Sequence, residues 1–136
     1  MRFPFLSPYA SEGQSVFMPF APVRISNNEI SVNALALLDT GAMVNVLPYQ
    51  LGLQLGCIWE NQKVALKLGG NLASSEARAI LLDIAIEGLP TKQLAFAWSR
   101  SESAPLLLGQ TNFFMAFDVF FSRSALFFDI SPKSKI

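Results

Sequence analysis

Apolar residues along this chain occur in short runs that are separated by turn-forming residues. Residues 30–38 (ISVNALALL) alternate at first and then become continuously apolar, as in a strand that enters a core. Residues 62–68 (QKVALKL) alternate with a period of two, which is typical of a half-exposed strand. Roughly nine such segments, at a spacing of about 8 to 12 residues, predict an all-β domain with little helix.

The remaining segments give the expected order of elements. Prolines at positions 19 and 22 lack the N–H donor of a β-ladder, so the first strand is expected to be bulged or to lie at an edge. Residues 49–56 and 111–117 are expected to form single short helical turns, the first weakened by two glycines. Strands are predicted over residues 15–25, 44–48, 77–86, 92–98, 106–108, 118–122 and 125–130, and turns over 26–29 and 69–71.

The chain of 136 residues is long enough for one domain that buries about two-thirds of the surface of its unfolded form. Residues 1–14 are rich in Pro, Ser and Gly and are expected to form an N-terminal arm. Residues 15–130 are expected to form the folded domain, and residues 131–136 a short, solvated basic tail.

The composition is apolar for a globular domain: 51% of the residues are hydrophobic and 15% are charged, against about 25% charged in ordinary domains. The surplus apolar surface of a small domain usually lies in a cleft or a subunit interface, so we expect self-association. Ten basic and ten acidic residues cancel and form no basic stripe, so neither nucleic acid nor an anionic membrane is expected as a partner.

The chain has no histidine, and Cys57 is its single cysteine. These two facts exclude Ser-His-Asp and Cys-His catalysis, internal disulfides, and cysteine-based or HExxH metal sites. Cys57 is expected to be a small buried hydrophobe rather than a nucleophile. If the protein is an enzyme, carboxylates are therefore the acid–base groups that remain at neutral pH.

No segment predicts secretion or a membrane span. The first residues (MRFPFLSPYASEGQ) contain two prolines and no continuous apolar core, so they are not typical of a signal peptide. Residues 40–59 carry no charge, but a proline, three glycines and amide side chains interrupt them. We expect a soluble, cytoplasmic protein.

A single acid stands inside the apolar segment ALALLDTGAMVNVLP, residues 34–48. Asp39 follows several aliphatic residues and is itself followed by Thr40 and Gly41. Because burial of an unpaired carboxylate is costly, Asp39 either caps a turn or takes part in chemistry. The local sequence leaves both interpretations open.

The segment LLDTGAMVNVLP, residues 37–48, resembles the active-site segment of retropepsin-like aspartic proteases. The segment PLLLGQTNFF, residues 105–114, is similar to the apolar segment that opens the C-terminal helix of that family. KLGGN, residues 67–71, lies where the family has a glycine-containing flap hairpin. The resemblance spans residues 15–130 and identifies as site residues Asp39, Thr40, Gly41 and Ala42, the second-motif residues Leu107, Leu108 and Gly109, and the candidate flap residues Gly69, Gly70 and Asn71.

The resemblance implies a closed β-barrel with one short C-terminal helix, which forms half of a two-fold dimer. Because DTG occurs once, the catalytic pair would consist of Asp39 and its symmetry mate. Two such carboxylates share a proton, as is established for aspartic proteases: the ionised one activates water and the protonated one donates to the substrate carbonyl. This chemistry requires no metal or cofactor. In the family, the hydroxyl equivalent to Thr40 bonds across to the other half of the site, Gly41 allows the sharp turn, and Ala42 keeps the floor of the cleft small.

Three positions depart from the retroviral pattern. Retroviral members usually carry an aspartate after DTGA and an arginine after the later glycine, and these two residues form an ion pair. This chain has Met43 and Gln110 there, so no charge is left unpaired and a neutral contact is expected instead. Asn45, where Thr or Ser is more frequent, keeps a polar group and is expected to be a minor change. Retroviral substrate preference and dimer strength are therefore not carried over.

The sequence leads to one principal functional hypothesis and two alternatives. The principal one is a homodimeric aspartic endopeptidase that cleaves between hydrophobic residues of a polypeptide substrate bound in extended conformation. The first alternative is a catalytically inactive, protease-like module for dimerisation or peptide binding. The second is a small-ligand-binding barrel, which only the apolar composition favours.

Overall fold

The computed structural model describes residues 1–8, 16–69, 72, 75–101 and 103–134. Of the candidate flap residues, Gly70 and Asn71 lie outside the described residues. The strands are β1 (Arg2–Pro4), β2 (Phe20–Asn27), β3 (Ile30–Leu38), β4 (Val46–Leu47), β5 (Ala65–Leu66), β6 (Ala77–Ala85), β7 (Lys92–Ser99), β8 (Leu107–Leu108), β9 (Phe117–Ser122) and β10 (Phe127–Pro132). The helices are α1 (Tyr49–Gln54) and α2 (Phe113–Ala116), with a short 3₁₀ helix at Trp59–Asn61.

Six strands close into a barrel in the order β2-β3-β8-β4-β7-β6. The barrel closes because the end of β2 also pairs antiparallel with β6, from Arg24 opposite Ala85 to Ser26 opposite Asp83. The short strand β5 pairs with the other end of β6. The predicted all-β fold is confirmed in the form of a closed six-stranded barrel with little helix.

The barrel core is filled from strands in which every second residue faces inward. In β2, Ala21, Val23 and Ile25 are buried, whereas Pro22 and Arg24 between them are exposed. The largest fully buried side chains are Trp98, Phe96, Phe113, Phe117, Phe128, Ile25, Leu47, Leu55, Leu82, Ile84, Leu108 and Ile130. Complete burial of one large apolar side chain contributes about 1.5–3 kcal/mol. The core, rather than surface ion pairs, therefore carries most of the stability.

A second, three-stranded sheet joins the two ends of the chain in the order β1-β10-β9. Arg2 lies opposite Asp129 and Phe3 opposite Phe128, and the two phenyl rings stack with centroids 5.5 Å apart. Arg2 Nε and Asp129 Oδ1 form an ion pair of 2.8 Å, and this hydrogen bond lowers the pKa of the Asp129 carboxyl. Residues 2–4 of the predicted arm are therefore part of the folded structure.

The three strands with the clearest pattern lie close to their predicted bounds. Residues 30–38 coincide with β3, and the predictions over 77–86 and 92–98 differ from β6 and β7 by one residue. The predicted strand over 62–68 is much shorter, because only the two residues of β5 pair with β6. Pro22 lies in the half of β2 that pairs with β3 alone, which agrees with the edge position expected from its missing N–H.

Both helices are short, as the sequence predicts. α1 ends just before Gly56, whose φ of 75° lies in the left-handed region that glycine favours. Gly52, inside α1, packs directly on the Trp98 ring, where an added Cβ would lie 2.2 Å from the indole nitrogen. In the described part of the chain, no helix has the length and apolar character needed to cross a membrane.

Candidate active site

Asp39 lies at the end of β3, where two segments that are distant in the sequence meet. β8 is inserted between β3 and β4: β3 pairs in parallel with Leu107 and Leu108, and β4 pairs antiparallel with Leu107. The Asp39 backbone N–H continues this ladder and donates to the Leu108 carbonyl at 3.0 Å. The structure thus brings the DTGA segment next to the LLLG segment.

The loop after β3 turns sharply around the Asp39 carboxylate. The Gly41 N–H donates to Asp39 Oδ1 at 2.9 Å, and the Ala42 N–H donates to the Asp39 carbonyl at 3.1 Å. A Cβ at Gly41 would lie 3.2 Å from Oδ1, so glycine allows this close approach of the backbone. Asp39 therefore caps the turn with one oxygen, while Oδ2 accepts no hydrogen bond from the described residues. Turn capping and chemistry are compatible here, because capping leaves half of the carboxylate available.

Gly109 is the point of closest backbone contact with this loop. A Cβ there would lie 2.5 Å from the Val44 carbonyl oxygen and 2.8 Å from that of Ala42, so a larger residue requires a backbone shift. The Gly109 carbonyl accepts the Phe113 N–H at 3.0 Å, at the start of α2. Gly109 thus lets the chain pass tightly against the DTGA loop and continue into the helix.

Asn45 connects the same elements through a fully buried side-chain amide. Its Oδ1 accepts the Gly109 N–H at 2.8 Å, and its Nδ2 donates to the Ala95 carbonyl of β7 at 3.2 Å. Its backbone N–H donates to Asn112 Oδ1 at 2.8 Å. These contacts make Asn45 more than the minor change that was expected from its retained polar group. The available signal was a polar side chain inside the apolar run 44–48, because a buried amide has to find partners.

Gln110 makes uncharged contacts with the DTGA loop, through Thr40 and Ala42 rather than through the Met43 side chain. Its Nε2 donates to the Thr40 carbonyl at 2.7 Å, and its backbone N–H donates to the Ala42 carbonyl at 2.9 Å. Met43 contributes its carbonyl, which accepts the N–H and the hydroxyl of Thr111 at 2.9 and 2.7 Å. Uncharged hydrogen bonds therefore hold the DTGA loop against the segment that leads into α2.

The surface around the DTGA loop combines exposed apolar side chains with an unpaired hydroxyl. Thr40 is exposed, and its hydroxyl makes no hydrogen bond to the described part of this chain. The side chains of Met43 and Met115 are 67% and 65% exposed. A backbone hydrogen bond between β3 and Pro19 places the exposed residues 16–18 close to the end of that strand. Exposed apolar side chains in one area are typical of an interaction surface.

A cleft of about 460 Å³ opens beside Asp39. Its walls are mostly aliphatic, and Lys67 is the one cation among the described residues that line it. These lining residues are Asp39, Gly41, Ala42, Met43, Val44, Val46, Lys67, Leu68, Gly69, Leu72 and Leu107. Gly69 of the candidate flap therefore shares the cleft with the DTGA loop, whereas Leu108 and Gly109 support the loop from inside the fold.

Reactive groups outside this cleft offer little chemistry. Cys57 is buried, as the sequence predicts, and burial raises the pKa of its thiol, which keeps it protonated. Among the described residues, no three His, Cys, Asp or Glu side chains lie close enough together to hold a metal ion. Asp39 is thus the one carboxylate that lines the cleft in the described structure.

The resemblance to retropepsin-like proteases rests on sequence motifs, of which the DTGA and LLLG segments are brought together by β8 in this structure. No protein-family profile matches the chain, and no curated protein matches it.

Proposed function

We propose that the protein is a homodimeric aspartic endopeptidase whose catalytic pair consists of the Asp39 carboxylates of two copies. The observation that carries the proposal is the setting of Asp39 in the cleft. The residue is half-buried, and the Gly41 N–H holds Oδ1 at 2.9 Å, while Oδ2 accepts no hydrogen bond from the described residues. A carboxylate that is fixed through one oxygen and available through the other suits general acid–base catalysis.

The second carboxylate has to come from another copy of the chain. DTG occurs once in the sequence, and other aspartates have different contacts: Asp118 accepts the Ser134 N–H, and Asp129 pairs with Arg2. No acid other than Asp39 is found among the described residues of the cleft. A two-fold axis next to Asp39 would bring its symmetry mate into the same cleft, because an isologous interface repeats one surface on both sides.

The exposed apolar surface next to the DTGA loop supports such an interface. Met43 is exposed in the loop itself and Met115 in α2, which follows Gly109, and Val16 and Phe17 are exposed near the end of β3. Burial of apolar area contributes about 25 cal/mol per Å², so these side chains favour association. The unpaired hydroxyl of Thr40 is the group that would bond across the interface, as the family resemblance implies.

Hydrolysis then needs no group beyond the two carboxylates and water. The ionised Asp39 takes a proton from the water while its protonated mate donates to the carbonyl oxygen of the scissile peptide, so the water oxygen adds to the carbonyl carbon. The resulting tetrahedral diol breaks its C–N bond when the Asp39 that took the proton from water passes it to the amide nitrogen. The mate, now ionised, takes a proton from a diol hydroxyl, and the pair returns to its starting state. The products are a carboxylic acid and an amine, and no covalent intermediate with the enzyme forms.

The shape and lining of the cleft support an extended apolar peptide as substrate. Aliphatic side chains of Val46, Leu68, Leu72 and Leu107 surround the space beside Asp39. Ligand sites are typically lined by hydrophobic side chains with a few polar groups that orient the ligand. Cleavage between hydrophobic residues is therefore the specificity that we expect.

Replacement of Asp39 by Asn tests the proposal, because it removes the acid–base group and preserves its size. The variant should lose cleavage of a denatured protein substrate by at least about 10²-fold. Its circular dichroism, unfolding midpoint and sedimentation coefficient should match those of the parent. Asp83→Asn changes an exposed aspartate of β6 in the same way and should cleave like the parent.

The possible outcomes distinguish the hypotheses. Equal cleavage by the Asp39→Asn variant and the parent would contradict the endopeptidase. A parent that dimerises but cleaves nothing between about pH 3 and 7 would instead indicate the inactive dimerisation or peptide-binding module. A strict monomer at every protein concentration would exclude a paired site.

A further inference from the structure

Lys67 shares the cleft with Asp39 and is the one cation among the described residues that line it. We propose that Lys67 selects substrates that place a carboxylate close to the scissile bond, an inference that rests on the endopeptidase function above. The substrate class is then an extended peptide with apolar side chains at the cleavage point and an Asp or Glu side chain nearby.

The Lys67 ammonium is available to a ligand. Among the described residues, the ion pair of Arg2 with Asp129 is the single salt bridge, and no group accepts a hydrogen bond from the Lys67 side chain. Lys63, by contrast, donates to the Glu60 carbonyl at 3.1 Å. The positive charge of Lys67 is therefore not neutralised within the described chain.

The backbone on both sides of Lys67 holds its side chain at the rim of the cleft. Lys67 directly follows β5, whose residue Leu66 pairs with Ala77 of β6. The next residue, Leu68, is buried in a small apolar cluster and lines the cleft itself. Because both neighbours are anchored, the backbone of Lys67 is fixed at the cleft and its ammonium can reach the space beside Asp39 through side-chain rotation.

The remainder of the cleft wall does not distinguish charged from neutral ligands. Val46, Leu72 and Leu107 offer contact to an apolar side chain of the substrate. A cation next to such a low-dielectric wall favours an anionic group over a neutral group of the same size, for example glutamate over glutamine. A two-fold dimer places a second Lys67 at the equivalent position beyond the scissile bond. We therefore expect the acid preference at two substrate positions, one on each side of that bond.

The size of the preference follows from the exposure of Lys67. Exposed ion pairs contribute modestly, so one Glu in place of Gln should raise kcat/KM by about two- to fivefold. Because Lys67 is exposed to solvent, dissolved salt screens its charge, so the preference for Glu should become smaller at about 0.5 M salt. A carboxylate can also come from the C-terminus of a peptide, but a substrate that runs through the cleft presents side chains there.

Paired, internally quenched peptides test the inference. The members of a pair share an apolar centre and differ only by Glu or Gln at one position, and each is made with a free or an amidated C-terminus. The parent should cleave the Glu member faster with either terminus, and Lys67→Glu should reverse the preference toward peptides with Lys at that position. Lys92→Glu makes the same charge change at the exposed start of β7, outside the cleft, and should keep the parental preference.

Equal kcat/KM for the Glu and Gln members would overturn the inference and leave the endopeptidase proposal standing. A preference that disappears on amidation would indicate recognition of the C-terminus and would overturn the side-chain assignment. If the parent cleaves no peptide, binding is measured in the Asp39→Asn background. Tighter binding of the Glu member that Lys67→Glu removes would support the role of Lys67 without catalysis. Equal binding of both members, or binding of neither, would overturn it.

Discussion

Removal of the Asn45 side chain tests most directly how the DTGA loop is held. Asn45→Ala would leave the buried Gly109 N–H and the half-buried Ala95 carbonyl without these hydrogen bonds. The unpaired buried N–H costs about 1–3 kcal/mol, and the half-buried carbonyl adds a smaller cost because solvent reaches it. The two costs are coupled because both partners border the same space, and we expect a loss of about 3 kcal/mol in the free energy of unfolding.

Such a loss is a large share of the total stability. Single domains unfold with a free energy of about 5–15 kcal/mol, and a loss of about 3 kcal/mol lowers Tm by roughly 10 °C for a chain of this length. The measurement is urea unfolding followed by the fluorescence of Trp59 and Trp98, which are both buried. The slope of the unfolding free energy against urea should stay unchanged, because the variant exposes the same surface on unfolding.

Two further variants make the result interpretable. Asn33→Ala removes an exposed amide of β3 that makes no side-chain hydrogen bond to the described residues, so it should change stability by less than about 0.5 kcal/mol. Asn45→Ser keeps a short polar group and should lie between Asn45→Ala and the parent. The reasoning is refuted if Asn45→Ala unfolds within about 0.5 kcal/mol of Asn33→Ala.

Other contacts lead to three more predictions. Gly109→Ala should lower the free energy of unfolding by about 1–3 kcal/mol in urea titrations, because its Cβ would lie 2.5 Å from a backbone carbonyl oxygen. Gly69→Ala, whose Cβ would meet nothing within 4 Å, should change the free energy of unfolding little. Equal losses for Gly69→Ala and Gly109→Ala would contradict the prediction. The pKa of Asp129 is lower in the folded chain than its unfolded value of about 3.9. The pairing with Arg2 therefore stabilises the fold above about pH 3.9, and this contribution is lost as the pH falls through the lower, folded pKa. The urea midpoints of the parent and Arg2→Gln should therefore differ slightly near pH 6 and converge below about pH 3. A difference between the two midpoints that increases in acid would contradict this prediction. Met43→Lys would place like charges on both sides of the proposed interface, so sedimentation should show a folded monomer without cleavage; an active dimer would argue against this interface.

The long strands could be predicted from the sequence because their pattern is local. In β3, β6 and β7 the apolar or polar character of each residue indicates which face of the sheet it occupies. The predicted ends of these strands therefore agree with the observed ones to within one residue. The DTGA and LLLG segments could likewise be singled out from residue types, and the catalytic role assigned to them stays a prediction. Glycine at position 109 is required by a close backbone contact, which explains why the residue type itself was informative there.

Pairings between distant segments could not be predicted in the same way. β1 has three residues, too few to show a period, and its side-chain contact between Arg2 and Asp129 joins positions 127 residues apart. The two-residue strands β4, β5 and β8 carry equally little pattern. The partners of Asn45 lie 50 and 64 residues away, so the sequence showed a polar residue in an apolar run but not what it would bind.

The proposed site requires a correctly folded DTGA loop and a second copy of the chain. The first depends on the free energy of folding and the second on the free energy of dimerisation. Three hydrogen bonds shape and support the Asp39 loop: the Gly41 N–H donates to Asp39, Gln110 Nε2 donates to the Thr40 carbonyl, and the Gly109 N–H donates to Asn45 Oδ1. All three are made within one copy of the chain. The groups that would complete the site, the Thr40 hydroxyl and the Met43 side chain, face outward. The loop itself therefore needs no second copy of the chain, whereas the population of paired carboxylates follows the dimer dissociation constant. A competent enzyme diluted below its dimer dissociation constant would be inactive because its carboxylates are unpaired, so absence of cleavage argues for an inactive module only where the dimer is shown to be present.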